Sequence, residues 1–233
     1  MNRIAEMFDS IAPDYDRLNH ILSLGTDRCW RKRAVRAITN PAVVQNILDI
    51  SCGTGDFSIL AARSANPEST VTGLDISAGM LAVMKEKLRE EGLAGKVQMV
   101  LGDAAALPFS DNSFDSVSIA FGIRNMADRP GVLREVLRVL KPHGKLVILE
   151  LSTPQAPVIH QLYCLYFKHI LPIIGGMVSG DKAAYRYLPA SVLAFPKKEE
   201  WLRTMGECGF SEVAHRAFSF GICRMYIGNK PNK

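Results

Sequence analysis

The chain has 233 residues, of which 48% are hydrophobic and 22% are charged, and its formal net charge is +5. This composition is typical of one or two globular domains with an ordinary core, and it excludes a disordered or low-complexity chain. The mild positive charge is compatible with nucleic acid or with an anionic membrane surface, and it does not decide between them.

The five cysteines are scattered, and no pair has C-x-x-C spacing. This pattern argues against a disulfide framework and a zinc site, and it favours a reducing compartment. The first residues lack the apolar core of a signal peptide, so the expected location is the cytoplasm. The histidines show neither metal-ligand spacing nor an evident aspartate partner, so we predict no metal site and no Ser-His-Asp triad; they are His20, His143, His160, His169 and His215.

Residues 1–40 are predicted to form a helical cap. Apolar residues recur at helical spacing over 16–24, Gly25 can end that helix, and a second helix is expected over 30–38. Tyr15, at the start of the first helix, either packs on the core or closes over a ligand. Three basic residues share one helical face, which is either solvated or in contact with anionic lipid head groups: Arg28, Lys32 and Arg36.

From residue 46 to residue 152 the chain alternates between strand and helix patterns, which predicts a parallel sheet with helices on both faces. The predicted strands are 46–50, 70–75, 97–101, 114–120 and 144–150. The predicted helices between them are 56–65, 78–92 and 130–140. Ligands of such sheets bind outside the carboxyl ends of the strands, so the residues that follow each strand are the candidates for a site.

The first of these strands runs directly into a glycine turn, in the sequence ILDISCGTGD from Ile47 to Asp56. Gly53 and Gly55 permit a sharp turn and a close approach to a ligand, because neither has a Cβ atom. Asp75 stands twenty residues after Gly55, where a βαβ nucleotide site places the carboxylate that holds a ribose. The alternative is an ordinary turn, with Asp75 capping a helix.

The details of the turn indicate which nucleotide binds. Ser58 occupies the place of the third glycine of the dinucleotide pattern G-x-G-x-x-G. Asp49 and Asp56 flank the turn and would repel a pyrophosphate, whereas they would attract the ammonium group of an amino acid. The ligand that combines an ammonium group, a ribose and an adenine without phosphates is S-adenosylmethionine, and we predict it as the cofactor.

Three further polar residues follow the third and fourth strands. Asp103 can accept a hydrogen bond from the adenine amine, or it can simply form a turn. Arg124 offers a fixed positive charge that could stabilise an oxyanion on a substrate, with Asn125 orienting the same oxygen. The alternative for Arg124 is a structural ion pair.

The alternation breaks after residue 152. The segment 153–196 contains five prolines and is too long for a normal connection, so we predict a functional insertion that covers the substrate. Its part over 158–178 is apolar, but Lys168, histidines and Pro172 within it argue against a transmembrane helix and leave an interfacial or ligand-covering role.

The C-terminal part, 197–233, returns to regular structure. A helix is expected over 198–208, followed by strands over 211–218 and 221–228 that form a hairpin. The chain is therefore predicted to be a single domain with a helical cap (1–40), a cofactor-binding core (41–152), a substrate insertion (153–196) and this C-terminal part. The sheet is expected to have seven strands, mostly parallel, with one antiparallel member near an edge.

Several longer motifs resemble one known family, the ubiquinone/menaquinone biosynthesis C-methyltransferases. The run from Tyr15 to Trp30, YDRLNHILSLGTDRCW, is similar to the N-terminal signature of that family, and the run from Arg138 to Ser152 is similar to its second signature. The segments FGIRN, over 121–125, and YRYLPASVLAFP, over 185–196, are also similar. Three places depart from the family pattern. His143 stands where the family usually has glycine, and Ala120 stands where relatives often carry a serine. Ser51 and Cys52 occupy a place where relatives commonly carry a different pair of residues.

The resemblance implies a Rossmann-like class I methyltransferase fold and a set of site residues. It implies that Thr54, Asp75, Asp103 and Ala104 contact S-adenosylmethionine. The full set predicted for the cofactor is Asp49, Ser51, Gly53, Thr54, Gly55, Asp75, Ile76, Asp103, Ala104 and Ala120. Arg124 and Asn125 are predicted to be catalytic, and Tyr15, Asn19 and Tyr185 are predicted to contact the substrate.

The expected function is C-methylation of demethylmenaquinol in menaquinone biosynthesis. The first alternative is the equivalent step on a 2-methoxy-6-polyprenyl-1,4-benzoquinol in ubiquinone biosynthesis, or both steps. The non-enzyme alternative is a cofactor-binding assembly partner of a quinone-synthesis complex. The expected partners are a prenylated quinol, the inner face of the cell membrane as a peripheral contact, and a second copy of the chain; no nucleic acid and no metal are expected.

Overall fold

The computed structural model of the protein describes residues 3–166 and 182–232. Seven strands form one sheet, in the spatial order β3-β2-β1-β4-β5-β7-β6. Their bounds are β1 Asn46–Ile50, β2 Thr70–Asp75, β3 Val97–Leu101, β4 Phe114–Ala120, β5 Leu140–Leu151, β6 Ser211–Phe218 and β7 Cys223–Asn229. β1 to β5 pair in parallel, and β7 is antiparallel to both β5 and β6. This confirms the predicted mostly parallel sheet with one antiparallel strand near its edge.

The helices cover both faces of this sheet and add a cap before it. The cap consists of α1 Arg3–Ile11, α2 Tyr15–Leu22 and α3 Thr26–Ile38, and the core helices are α4 Asp56–Ser64, α5 Ala78–Glu90 and α6 Arg129–Val139. After β5 come α7 Pro157–Leu165 and α8 Lys182–Ala194 in the insertion, and α9 Lys198–Glu207 before the last two strands.

Two apolar layers hold the helices to the sheet. On one face, α3 and α4 contribute Trp30, Val35 and Phe57 to a buried cluster. On the other face, α6 and α9 bury Leu133 and Trp201 with a second set of strand side chains. The central strands are mainly apolar on both sides, as parallel strands covered by helices are, although β1 and β4 also bury Asp49, Ser116 and Ser118.

Three elements differ from the prediction. α1 was not expected, although Ile4, Phe8 and Ile11 recur at helical spacing. α3 begins at Thr26, four residues before the predicted start. β5 begins at Leu140 rather than at residue 144, because Leu140 pairs with Phe114 of β4 across an irregularity in the register of the two strands.

The described part of the predicted insertion, 153–196, is mainly helical. α7 and α8 account for most of its described residues, and Pro189 lies inside α8. Residues 167–181, which include the second half of the apolar segment 158–178, lie outside the described residues. Within the described ranges, no helix is both long enough and apolar enough to cross a membrane.

Candidate functional site

A cavity of about 340 Å³ lies at the carboxyl ends of β1, β2, β3 and β4, where the doubly wound topology places a ligand. Residues predicted for the cofactor line it together with side chains of the cap. The predicted ones are Ser51, Gly53, Asp75, Ile76, Asp103, Ala104 and Ala120, and the cap contributes Ile4, Phe8 and Tyr15.

Asp75 ties the glycine turn to the end of β2. One carboxylate oxygen accepts the backbone N–H of Gly53 at 2.8 Å, and the other accepts that of Ser77 at 2.9 Å. Burial raises the pKa of the Asp75 carboxyl against these hydrogen bonds, which favour its charged form. The carboxylate therefore faces the cavity in a fixed orientation, as a group that holds two hydroxyls of a ribose would.

The far end of the same cavity suits a flat apolar ring. Leu74, Met80 and Val132 line it, and Asp103 stands at its edge with one oxygen accepting the N–H of Ala105 at 2.9 Å. A Cβ atom on Gly53 would point into open space 3.9 Å from the Tyr15 ring, so the turn leaves room for a ligand. The carboxylate, the open turn and the apolar end together fit S-adenosylmethionine.

Three residues predicted to contact the cofactor lie outside the cavity. Asp49 is completely buried and accepts the hydroxyl hydrogens of Ser58 at 2.6 Å and of Ser118 at 2.8 Å. Burial raises the pKa of Asp49 to about 6. The hydroxyl of Thr54 donates to Asp16 at 2.5 Å. Gly55 packs against Met84, whose Cγ lies 2.6 Å from where a Cβ atom would be.

Asp56 also points away from the cavity, which corrects the argument that the flanking acids attract an ammonium group. One of its oxygens accepts a hydrogen bond from Lys87 at 2.5 Å, and the other lies 3.9 Å from Arg31. These cations and His20 hold the pKa of the Asp56 carboxyl below its ordinary value, against the effect of burial. Asp56 is therefore paired with cations of the protein, and neither Asp49 nor Asp56 lines the cavity.

A second cavity, of about 420 Å³ and mainly apolar, adjoins the first. It lies between the cap, α7, α8 and the turn before β7. Leu22, Ile159, Tyr163, Tyr166, Leu188 and Ile222 are among the residues that line it. Tyr15 and Phe121 line both cavities, so these two side chains form the boundary between them.

The residues predicted to meet the substrate divide between the two cavities. Asn19 and Arg124 line the apolar cavity. Asn125 lines the cofactor cavity, and its side-chain oxygen accepts the hydroxyl hydrogen of Tyr187 at 3.0 Å. Arg124 and Asn125 therefore do not converge on one oxygen, because the short helical turn over 123–125 directs adjacent side chains to opposite sides. The side chain of Tyr185 lies outside the described residues.

Arg124 is a buried member of an ion pair. Its Nη1 donates to Glu150 at 2.8 Å and to the carbonyl of Phe121 at 2.5 Å, and its Nε donates to Ser191 at 3.3 Å. Burial acts to lower the pKa of the guanidinium, but the charge and hydrogen bond of Glu150, together with Tyr15 and Tyr187, outweigh it and the net shift is upward. No residue of the described ranges accepts a hydrogen bond from Nη2, which leaves that nitrogen for a ligand.

Comparison with known proteins settles the family. A family model described as the ubiE/COQ5 methyltransferase family matches residues 1–230. The chain belongs to this family. The predicted family, fold class and enzyme class, an S-adenosylmethionine-dependent methyltransferase, are thereby confirmed.

Relatives of similar length support the assignment to the ubiE/COQ5 family. A demethylmenaquinone methyltransferase of Bacteroides fragilis is 45% identical over 228 residues, which cover 98% of this chain and 92% of that protein. A ubiquinone/menaquinone biosynthesis C-methyltransferase UbiE of Geobacter sulfurreducens is 46% identical, with 98% and 88% covered.

Solved structures with low sequence identity share the fold of this ubiE/COQ5 member. The [4+2]-cyclase SpnF superposes with a TM-score of 0.73 at 21% identity, covering 99% of this chain and 97% of that one. A putative S-adenosyl-L-methionine-dependent methyltransferase of Methanococcus maripaludis gives a TM-score of 0.70 at 19% identity, with 97% and 95% covered. At these identities the likeness concerns the fold alone.

Sequence reasoning missed several side chains that shape the site of this ubiE/COQ5 member. Phe121 forms the boundary between the cavities, and Glu150 neutralises Arg124. His20 was thought to lack an aspartate partner, but its Nδ1 lies 3.0 Å from Asp27. The seven-residue spacing of this pair crosses the turn between α2 and α3, so no single helical period could reveal it.

His20, Asp27 and Asp56 offer ligand atoms that all lie within 4.8 Å of one another, a spacing that a metal ion could use. Arg31 and Lys87 already face these two carboxylates, and their positive charges take the place that a cation would occupy. The arrangement therefore fits a charge network within the protein better than it fits a metal centre.

Proposed function

We propose that the protein transfers a methyl group from S-adenosylmethionine to a ring carbon of demethylmenaquinol, giving menaquinol. The observation that carries this proposal is the pair of adjoining cavities, one with the ribose-type carboxylate of Asp75 and one mainly apolar, which share Tyr15 and Phe121 as their boundary. Two separate ligands, one polar and one apolar, can meet only at that boundary. The Bacteroides fragilis relative is named a demethylmenaquinone methyltransferase, which supports the same acceptor.

Ser51, Gly53, Asp75, Ile76, Asp103 and Ala104 would hold the cofactor, which supplies an electrophilic methyl group on its sulfonium. The residues around the apolar cavity then orient the quinol and exclude water from the reacting atoms. Arg124 would stabilise negative charge on the quinol oxygen through its Nη2 atom. Because electron density must move from that oxygen into the ring, the reduced quinol is expected to react and the oxidised quinone is not.

The second candidate acceptor is a 2-methoxy-6-polyprenyl-1,4-benzoquinol. Relatives named for both ubiquinone and menaquinone biosynthesis, such as the Geobacter sulfurreducens protein, favour it. Activity on both rings is the third outcome that an assay can give.

A membrane contact would supply the prenylated substrate. Leu24 and Phe220 are 85% and 81% exposed, and both lie at the lining of the apolar cavity. Arg28, Lys32 and Arg36 are exposed on the neighbouring helix α3. Exposed apolar side chains beside basic ones are typical of proteins that bind an anionic bilayer from the cytoplasmic side.

The decisive experiment offers the protein radiolabelled S-adenosylmethionine with a short-chain naphthoquinol and a short-chain methoxybenzoquinol, each kept reduced under argon. Labelled methylnaphthoquinol is the expected main product, identified by mass spectrometry. Each oxidised quinone serves as the matched control and should remain unlabelled. Cofactor binding without any labelled quinol would contradict the proposal and favour a non-catalytic assembly partner.

A further inference from the structure

We propose that Arg31 binds the second hydroxyl oxygen of the acceptor and makes the site selective for rings that carry two hydroxyls at opposite positions. This inference rests on the proposed function and names a substrate-binding residue with the class of ring that it selects. Arg31 lies in α3, is only 7% exposed and lines the apolar cavity. Three other basic residues of the same helix, Arg28, Lys32 and Arg36, are exposed. Arg31 is therefore the inward-facing member of the basic cluster in α3.

The two terminal nitrogens of Arg31 are available to a ligand. Both carboxylate partners of Arg31 meet its guanidinium at Nε, Asp27 at 3.5 Å and Asp56 at 3.9 Å. Within residues 3–166 and 182–232, neither Nη1 nor Nη2 of Arg31 donates a hydrogen bond to the protein. A guanidinium carries five N–H donors in a fixed fork, and four of them belong to these two nitrogens. Because unused donors in a buried site are costly, an oxygen of a ligand in the cavity would be stabilised there.

Phe121 holds the guanidinium of Arg31 in place. The central carbon of the guanidinium lies 4.9 Å from the centre of the Phe121 ring, which is within the range of a cation–π interaction. Phe121 has φ +62°, a left-handed conformation that is strained for a bulky residue. Its N–H donates to the carbonyl of Leu149 at 2.7 Å, and its own carbonyl accepts from Nη1 of Arg124 at 2.5 Å. One fixed residue therefore contacts both guanidiniums, Arg31 through its ring and Arg124 through its backbone.

Tyr15 connects the two guanidiniums across the same cavity. Burial raises the pKa of the Tyr15 hydroxyl, and the positive charges of Arg124 and Arg31 both oppose this rise. Both cations are thus close enough to act on one hydroxyl, and both line the apolar cavity. Since Tyr15 and Phe121 form the boundary with the cofactor cavity, the two guanidiniums stand near the end of the apolar cavity that the methyl group enters.

A ring with two opposite hydroxyls matches this pair of cations. In demethylmenaquinol one hydroxyl is next to the carbon that receives the methyl group, and the other lies across the ring from it. Arg124 takes the first oxygen under the proposed function, and Arg31 takes the second. A site built to hydrogen-bond a hydroxyl of the substrate discriminates against an analogue that lacks it, because the buried donors of the site are then left unpaired.

The ion pairs of the two arginines favour a neutral hydroxyl over an anionic group. Arg124 is paired with Glu150, and Arg31 is paired with Asp27 and Asp56. Each guanidinium is therefore already neutralised by a carboxylate of the protein. A phosphate or a carboxylate in the cavity would be repelled by these acids, whereas a neutral quinol oxygen can accept a hydrogen bond without adding charge.

The test compares two acceptors that differ by one hydroxyl. The first is a short-chain prenylated naphthoquinol, and the second is the matching naphthol, which keeps only the hydroxyl next to the reacting carbon. The missing hydroxyl is meta to that carbon, so its loss changes the intrinsic reactivity of the carbon little. In the labelled-methyl assay the wild-type kcat/KM should be about 10- to 100-fold higher for the naphthoquinol, as expected for a hydrogen bond to a charged group.

Two variants assign this preference to Arg31. Arg31→Gln removes the charged fork, so kcat/KM for the naphthoquinol should fall to nearly the value for the naphthol. Arg33→Gln is the matched control, because Arg33 also lies in α3 and stacks over an aromatic ring, that of Phe218 at 5.5 Å, but is exposed and does not line the cavity. It should keep the wild-type preference. The affinity for S-adenosylmethionine, measured by calorimetry, should be unchanged in both variants.

The outcomes are distinct. A wild-type chain that methylates both acceptors with equal kcat/KM overturns the role of Arg31 while the proposed function stands. An Arg31→Gln chain that loses activity on both acceptors by one common factor keeps the preference, which marks Arg31 as structural and also overturns the inference. If Arg31→Gln does not fold, Arg31→Lys is judged by the same ratio, because lysine keeps a positive charge beside Asp27 and Asp56 but lacks the fork. A wild-type chain that methylates no reduced quinol overturns the proposed function and this inference with it.

Discussion

Arg124 illustrates how one residue can serve both stability and chemistry. Its partner Glu150 has no exposed side-chain area, so the carboxylate depends on the guanidinium for its charge. The free energy of unfolding in urea should therefore be about 3–5 kcal/mol lower for Arg124→Ala than for the wild type, because the substitution leaves a buried charge unpaired. The double variant Arg124→Gln, Glu150→Gln should recover much of that stability and still lack turnover; an active double variant would exclude a catalytic role for Arg124.

Asp49 predicts a pH dependence of stability with a definite sign. Burial raises the pKa of its carboxyl to about 6, so the folded protein binds a proton there more readily than the unfolded chain does. The stability gained from proton binding by Asp49 is therefore complete at pH values below the ordinary pKa of an aspartate. It is lost as the pH rises through about 6. At pH 8 the folded protein holds an ionised buried carboxylate, at a cost of about 3 kcal/mol.

Asp49→Asn should remove this cost, since a neutral amide can accept from one serine hydroxyl and donate to the other. Urea unfolding of both proteins at pH 8 and pH 5 measures the effect. The variant should gain stability relative to wild type at pH 8, and the gain should shrink toward pH 5. An equal difference at the two pH values would show that the carboxyl titrates normally in the folded protein.

Among the elements, the turn between β1 and α4 is the most tightly specified. Gly55 has φ +87° and faces the fully buried Met84, so a methyl group there meets both backbone strain and a collision. Gly55→Ala should lose clearly more than 2 kcal/mol of unfolding free energy, of which about 1–2 kcal/mol is the cost of the left-handed backbone. Gly92→Ala is the control, because Gly92 has φ +66° with open space around it, and it should lose only the backbone cost.

An element could be predicted when its own sequence pattern determines it, and its bounds were missed when they depend on contacts with distant parts of the chain. β1, β2, β3 and β4 were predicted with their observed bounds, because each is a short segment in which apolar side chains recur at strand spacing or in a run. The start of β5 could not be predicted, since Leu140 pairs with Phe114 of β4 across an irregular register that no local pattern reveals. α1 was missed although Ile4, Phe8 and Ile11 recur at helical spacing, and its place depends on Asp9, which accepts hydrogen bonds from Ser77 and Gly79.

The candidate site was predictable only in part, for a similar reason. Asp75 and Asp103 follow their strands directly, so the topology alone places them at the cavity. Asp49 precedes the turn by two residues and points into the sheet, where it accepts hydrogen bonds from the hydroxyls of Ser58 and Ser118. Contacts between cap and core, such as that of Thr54 with Asp16, join residues 38 positions apart and leave no periodic signal.

At the scale of the whole molecule, the exposed apolar rim of the second cavity predicts binding to membranes. Leu24→Asp and Phe220→Asp should each reduce co-sedimentation with vesicles of anionic phospholipid several-fold, because a charged side chain resists entry into the bilayer boundary. Val44→Asp is the control, since Val44 is 51% exposed at the opposite, amino-terminal edge of the sheet. Equal vesicle binding by all of them would contradict a membrane-facing rim.

The two cavities meet at Tyr15 and Phe121 but receive their ligands from different directions. If the apolar rim rests on a bilayer, the water-soluble donor and its product can exchange on the side of α1 while the protein stays on the membrane. Successive quinols would then be drawn from the same patch of lipid without a return to bulk solution. The rate should accordingly follow the mole fraction of quinol in the bilayer rather than its total concentration, so that adding quinol-free lipid slows the reaction by surface dilution.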